Sequence, residues 1–427
     1  MKRGLIAAIG VAAMLASVAA CGSDDSKDSS KKAGADGYKG QTLTVWAMDG
    51  STPPGWTKNL QAAFKKKTGA TVKFETQKWD GIQQKITTAL SESTPPDVIE
   101  VGNTQTPAYA ATGGLADLSD LKSQIGADWT PSLSKSSVYQ GKQYAAPWYF
   151  ANRVVIYNKK VWADAGITGT PKTRAEFFKD LDAIKKKGQA EPIYLPGQNW
   201  YFFDGLTIGQ GADLVKKSGG KYVSNLADPK VTAAMELYKK YQSYSKASKD
   251  KDEANPQQAE VFAKGNVGAF IGMGWEAGTA ITANKKIAKD IGYFTIPGET
   301  AAKPEGVFLG GSNFAVAAAS KKQDLAKEFL KMALGDKFEG ALAKESGIVP
   351  NKASLDSNLK GNAAGEAAAP AAAVSGGTTP LIPEWAAVEN DPNPVKSYMT
   401  SVLSGKSPAA AAAAVEGEIN KRLAQKN

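Results

Sequence analysis

Thr42-Leu43-Thr44-Val45-Trp46, Thr71 to Phe74 and Asp97-Val98-Ile99-Glu100-Val101 are three short runs that each read as a strand. What lies between them decides the fold. Residues 53–68 carry Trp56, Leu60 and Phe64 four apart and stop at Gly69, the pattern of an amphipathic helix with a glycine stop. Asp80 is placed to cap a second helix carrying Ile82, Ile86 and Leu90, and Pro95-Pro96 breaks the chain before the third strand. A β-α-β-α-β succession favours a parallel sheet covered by helices, so an α/β fold is expected.

The same style continues toward the C-terminus. Thr173 and Glu176 fit a capping box ahead of Phe177, Leu181 and Ile184. Asp228-Pro229 opens a helix through Met235, Tyr238 and Tyr241, and Asn255-Pro256 opens another that ends near Gly265. Val267 to Ile271 reads as a strand. Ser320 and Gln323 fit a second capping box ahead of Leu325, Phe329 and Met332. Residues 363–374 are nearly all Ala but contain Gly365 and Pro370, which predicts an irregular or broken helix. Ser407 is an N-cap for a terminal helix carrying Ile419 and Leu423. No solenoid-type repeat is visible.

Toward the N-terminus the pattern changes. Lys2 and Arg3 precede an apolar run from Leu5 to Val18, which ends in Val18-Ala19-Ala20-Cys21. A short apolar run followed by small residues and a Cys predicts a lipoprotein signal peptide over residues 1–20 and acylation of Cys21. Cys21 is the only Cys, so no disulfide forms within one molecule. Two or three acyl chains would anchor the protein stably on the extracytoplasmic face of the cell membrane. Residues 21–37 are polar and small, and read as a flexible tether.

Beyond the tether lie about 390 residues, enough for two lobes rather than one simple domain. The formal charge is +10, but the lysines are spread over helix faces such as Lys65-Lys66-Lys67, Lys185-Lys186-Lys187 and Lys239-Lys240. Solvated helix faces explain that spread, and with export it argues against a nucleic-acid partner. The chain has no His, which removes the Ser-His-acid triad and most zinc sites. No cofactor and no metal are expected.

Several phrases stand in a particular order. Asp97 to Val101 is followed by Gly113-Gly114-Leu115-Ala116-Asp117-Leu118, then Tyr144-Ala145-Ala146-Pro147-Trp148 and Val155-Ile156-Tyr157-Asn158-Lys159. Later come Gly265 to Phe270, Gly274-Trp275, Pro297-Gly298, Gly310-Gly311-Ser312-Asn313 and Ser404 to Pro408. This set, behind a lipobox, resembles the family 1 extracellular solute-binding proteins, the maltose-binding-protein-like group of ABC importers. Thr42 to Gly50, Lys78 to Lys85 and Gly102 to Tyr109 are similar to the diacetylchitobiose-binding lipoproteins of actinobacterial importers. The resemblance implies a two-lobed periplasmic-binding-protein-like fold of type II, with the ligand cleft between the lobes. The expected limits are 38–149 plus 298–334 for the first lobe and 150–297 plus 335–427 for the second. It also implies a monomer that delivers an oligosaccharide, N,N'-diacetylchitobiose first, to membrane permease subunits. A cello-, xylo- or malto-type sugar is the alternative.

A sugar ring needs flat aromatic faces for its C–H surface and planar polar groups for its hydroxyls. In open α/β sheets these gather beyond the carboxyl ends of strands. Trp46, Asp49, Trp79, Asn103 and Thr104 end the first three strands; the alternatives are a core Trp, a turn, a helix-start staple and a helix cap. Trp148 follows Pro147 at the expected hinge. Trp275, with Gly272 and Gly274 beside it, is the leading platform, and Glu276 a hydroxyl acceptor. Gly311, Ser312 and Asn313 offer backbone N–H groups and an amide. Asn199-Trp200 and Trp385 stand where the resembled family places stacking aromatics.

Two rival classes are open to discrimination. A glycoside hydrolase would need a carboxylate pair, for which Asp49 and Glu276 are the candidates. A peptide or amino-acid binder would need a clamping Arg. Beyond Arg3 only Arg153, Arg174 and Arg422 exist. Arg174 and Arg422 are expected to be solvated, which leaves Arg153.

Overall fold

The computed structural model describes residues 37–425 apart from Asp80. The signal peptide, Cys21, nearly all of the tether and the capping role of Asp80 lie outside the described residues.

Strand Thr42–Met48 lies between Thr71–Gln77 and Val98–Gly102 and runs parallel to both, as the β-α-β-α-β pattern requires. Strands Gly310–Val316, Ala145–Ala151 and Val349–Pro350 extend that sheet antiparallel to six strands. The first-lobe sheet is therefore mixed, because its last three strands come from distant parts of the chain. Helix Pro54–Thr68 buries Trp56, Leu60 and Phe64 against it. Gly69 ends that helix at φ 75°, a conformation that a Cβ disfavours.

The second lobe is built on an antiparallel sheet with Arg153–Asn158 in the middle, flanked by Ala269–Met273 and Ile291–Phe294. Its core includes Val155, Phe177, Leu181, Tyr238 and Phe270. Thr173 and Glu176 form the expected capping box of helix Arg174–Lys187. Asp228 and Ser407 cap their helices with side-chain acceptors.

Three local expectations change. Ser320 makes no box: its hydroxyl donates to Asp97 Oδ1 at 2.7 Å, and the helix Gln323–Ala333 starts later. Asp97 also accepts from Thr44 N and Lys322 Nζ, so a buried carboxylate has claimed the capping hydroxyl. Residues Ala363–Ser375 form one helix through Pro370. Asn362 caps it, and Ala364, Ala367, Ala368 and Ala371 are buried. Packing of that small-residue face outweighs the local Pro penalty. The helix near Asn255-Pro256 spans only Gln258–Phe262.

Strand Ala145–Ala151 belongs to the first-lobe sheet and Arg153–Asn158 to the second, with Asn152 between them. Val307 and Leu309 belong to the second-lobe core, whereas Phe338, Leu342 and Ile348 share the first-lobe core with Leu60 and Phe64.

Candidate functional site

The carboxyl ends of first-lobe strands face the second lobe across a cavity of about 450 Å³. From the first lobe, Asp49, Trp79, Asn103, Thr104, Gly311 and Ser312 line it, all of them expected. From the second lobe the expected Trp275 lines it, joined by Arg153, Tyr201, Met273 and Phe308. Trp79 is 45% exposed and Trp275 54% exposed, the two exposed indoles among the described residues. One stands on each lobe.

Strand alternation explains a second set. Successive side chains in a strand point to opposite faces. Tyr149, Ala151 and Arg153 therefore reach the cavity, while Trp148 points the other way. Trp148 is fully buried and stacks on Phe314 at 4.0 Å in the first-lobe core, so it is not a cavity residue. Helix Trp200–Gly209 divides its aromatics similarly. Trp200 turns into the second-lobe core, 6.3 Å from the fully buried Trp385, and Tyr201 takes the cavity side. Trp200 packs against Tyr201, with ring centroids 3.9 Å apart and planes tilted by 31°, and Trp385 lies behind Trp200.

Other expected residues are held by protein partners away from the wall. Trp46 donates its indole N–H to Glu75 at 2.9 Å beneath the Lys85 ammonium. Asn199 is fully buried and caps the helix at Phe202 N. Asn313 is fully buried and donates to Thr106 Oγ1 at 2.9 Å. Glu276 turns inward, accepting from Met273 N at 2.7 Å and Gln258 Nε2 at 2.8 Å. Burial raises its carboxyl to about 7. The carboxylate pair of the hydrolase reading is thereby lost, since Glu276 does not line the cavity with Asp49. The glycines beside Trp275 also have another cause. A Cβ on Gly272 would meet Glu276 and Phe270 at 2.6 Å, and one on Gly274 would meet Ala364 at 2.7 Å, so protein packing demands them.

Polar groups at the cavity are mostly pre-engaged. Asn103 donates its side-chain amide to Leu309 O at 2.8 Å. Thr104 donates to Glu389 of the second lobe at 2.8 Å, and Tyr201 donates to the same carboxylate at 2.7 Å. Burial raises the Glu389 carboxyl, and these donors pull it back. Arg153 pairs with Glu253 and lies over the Tyr201 ring at 5.2 Å. Its charge is thus neutralised by the protein, which argues against a clamp for anionic ligands. Arg174 and Arg422 are not simply solvated. Arg174 donates to Glu305 at 2.6 and 2.9 Å, and Arg422 donates to the carbonyls of Ala387, Asn390 and Pro392. Among the described residues no cluster of three or more His, Cys, Asp or Glu could hold a metal ion. No helix among them is long and apolar enough to cross a membrane.

Comparison with known proteins adds to this geometry. The family profile described as bacterial extracellular solute-binding protein matches residues 49–339. The chain is 72% identical over 425 residues to the diacetylchitobiose binding protein DasA of Streptomyces coelicolor, covering all of both chains. It is 24% identical to a galactooligosaccharide-binding protein of Bacillus subtilis, over 92% of this chain and 91% of that one. Among solved structures, the GacH receptor of Streptomyces glaucescens, known unliganded and with acarbose, gives a TM-score of 0.76 at 25% identity over 91% of this chain and 99% of that one. A cyclo/maltodextrin-binding protein complexed with maltotetraose gives 0.74 at 22% identity over 90% and 97%.

Proposed function

This chain belongs to the bacterial extracellular solute-binding protein family, and on that premise we propose that it binds N,N'-diacetylchitobiose in the interlobe cavity and hands it to the permease subunits of an ABC importer. The observation that carries the sugar is the 72% identity over the whole length with a diacetylchitobiose binding protein. The chain is a binding protein and not an enzyme; its cavity supports capture rather than bond cleavage.

The cavity volume falls within the range of small-molecule sites, about 300–1,000 Å³. Trp79 and Trp275 offer indole faces from opposite lobes, and Tyr201 and Phe308, stacked at 4.6 Å, add a further aromatic wall. Sugar C–H faces pack on such surfaces, and the methyl of an acetamido group fits an aromatic edge. Asp49, Ser51, Gln105 and Ser312 supply polar contacts from the first lobe. Closure of the lobes removes water from those bonds and makes each worth more. The protein acts as a monomer, held on the membrane by acylated Cys21 with the first twenty residues removed. Mass spectrometry of membrane-extracted protein tests the anchor: a diacylglyceryl mass on an N-terminal Cys21 is expected, and an unmodified thiol contradicts it.

Titration calorimetry with N,N'-diacetylchitobiose, cellobiose, maltose and xylobiose tests the ligand. The expected result is a dissociation constant tighter than about 10 μM for the acetylated sugar, near −7 kcal/mol, with the others at least about tenfold weaker. A better fit to any of the other three removes the acetamido assignment. No binding to any of the four removes the sugar reading.

A further inference from the structure

Glu100 sits in strand Val98–Gly102 and is fully buried, yet it is surrounded by donors. Its Oε2 accepts from Met48 N at 2.6 Å. Its Oε1 gathers hydroxyls from three separate segments: Ser51 at 2.8 Å, Tyr149 at 3.0 Å and Ser312 at 2.6 Å. Each of those three residues lines the interlobe cavity, and Glu100 does not. Burial raises this carboxyl, and the four donors pull it back toward the charged form.

The consequence lies on the cavity side. A hydroxyl has one proton and two lone pairs, whereas a carboxylate oxygen only accepts. Protons drawn toward Glu100 leave lone pairs facing outward. We propose that Glu100 is a positioning residue that turns the hydroxyls of Ser51, Tyr149 and Ser312 into acceptors for the ligand. This part of the wall then selects groups that donate, a sugar hydroxyl or an amide N–H. The proposal rests on the sugar-binding reading above. Without Glu100 the three hydroxyls, with Tyr149 2.8 Å from Ser51 and 3.3 Å from Ser312, would share protons among themselves in no fixed sense.

E100Q keeps the shape but replaces one acceptor oxygen by an NH₂ donor; with the amide oxygen on the Met48 N–H, the NH₂ faces the hydroxyls, which then accept and turn their protons to the cavity. Calorimetry with N,N'-diacetylchitobiose is run on wild type, E100Q, S312A and E100Q/S312A, with melting followed by circular dichroism. The expected result is folded E100Q with affinity lowered about tenfold or more. S312A should cost a smaller factor in the E100Q background than in wild type, because its polarity is already lost there. A purely structural Glu100 would lower melting without this coupling. Folded E100Q within twofold of wild type overturns the proposal, as does an equal S312A factor in both backgrounds. Should E100Q fail to fold, S312A, Y149F and their double variant decide. The double loss should be smaller than the product of the single losses, since both hydroxyls share one carboxylate oxygen, and a loss equal to that product overturns the proposal. Wild type that binds no sugar overturns the sugar reading and this proposal together, whereas normal wild-type binding beside an unaffected E100Q overturns this proposal alone.

Discussion

Trp79 and Trp275 keep about half of their surface open although each could bury an area of order 150–250 Å². A folded protein gains nothing from leaving two such rings uncovered at one cavity unless something else covers them. A sugar face is that cover in this account. Trp79→Ala and Trp275→Ala should each weaken N,N'-diacetylchitobiose binding about tenfold, near 1–1.5 kcal/mol, with melting within a few degrees of wild type. Calorimetry checks the affinity, and unchanged affinity in both variants would remove the stacking role. Trp79 was legible because it lies just past a strand end; Trp275 was picked out by its neighbouring glycines, which protein packing explains instead. Trp148 and Trp200 were misplaced by a single position. The strand period puts Tyr149 rather than Trp148 on the cavity, and helix Trp200–Gly209 puts Tyr201 there rather than Trp200. Applying those periods to the flanking residues would have found both tyrosines. The Glu100 hydroxyl cluster had no such signal, since it joins segments far apart in the chain.

At the scale of elements, buried charges decide more than caps do. Arg174 begins helix Arg174–Lys187 and holds Glu305, whose side chain is only 3% exposed, through two hydrogen bonds. Arg174→Ala leaves that carboxylate buried without its partner and should cost about 3 kcal/mol, read as a lower denaturant midpoint. A change under about 0.5 kcal/mol would show the pair to be a surface one. The capping box at Thr173 and Glu176 could be read from the sequence, but the ion pair between residues 131 apart could not. Glu339, in helix Asp336–Ser346, accepts from Asn351 N at 2.9 Å and has its other oxygen buried without a partner. Burial raises its carboxyl from 4.5 to about 8. The native state therefore holds a proton that the unfolded chain releases near 4.5. Its contribution is full below 4.5 and is lost as pH rises toward 8. Wild type should lose melting temperature between pH 6 and 8.5, and Glu339→Gln should lose at least about 2 °C less over that interval. Parallel pH profiles would contradict the assignment.

On the scale of the whole molecule, residues of both lobes line one cavity. The β-α-β-α-β opening, the two lobes and the cleft between them followed from the order of patterns and from the family resemblance. The packing of Val307 and Leu309 in the second-lobe core carried no such signal. Thr104 and Glu389 bridge the two lobes beside the cavity. The most direct test is a crystal structure of the protein grown with N,N'-diacetylchitobiose. Both sugar rings are expected in the interlobe cavity, one packed on Trp275 and one reaching Trp79, with Ser312 accepting from the ligand. Sugar density elsewhere on the protein, or in the cavity without contact to either indole, would contradict it.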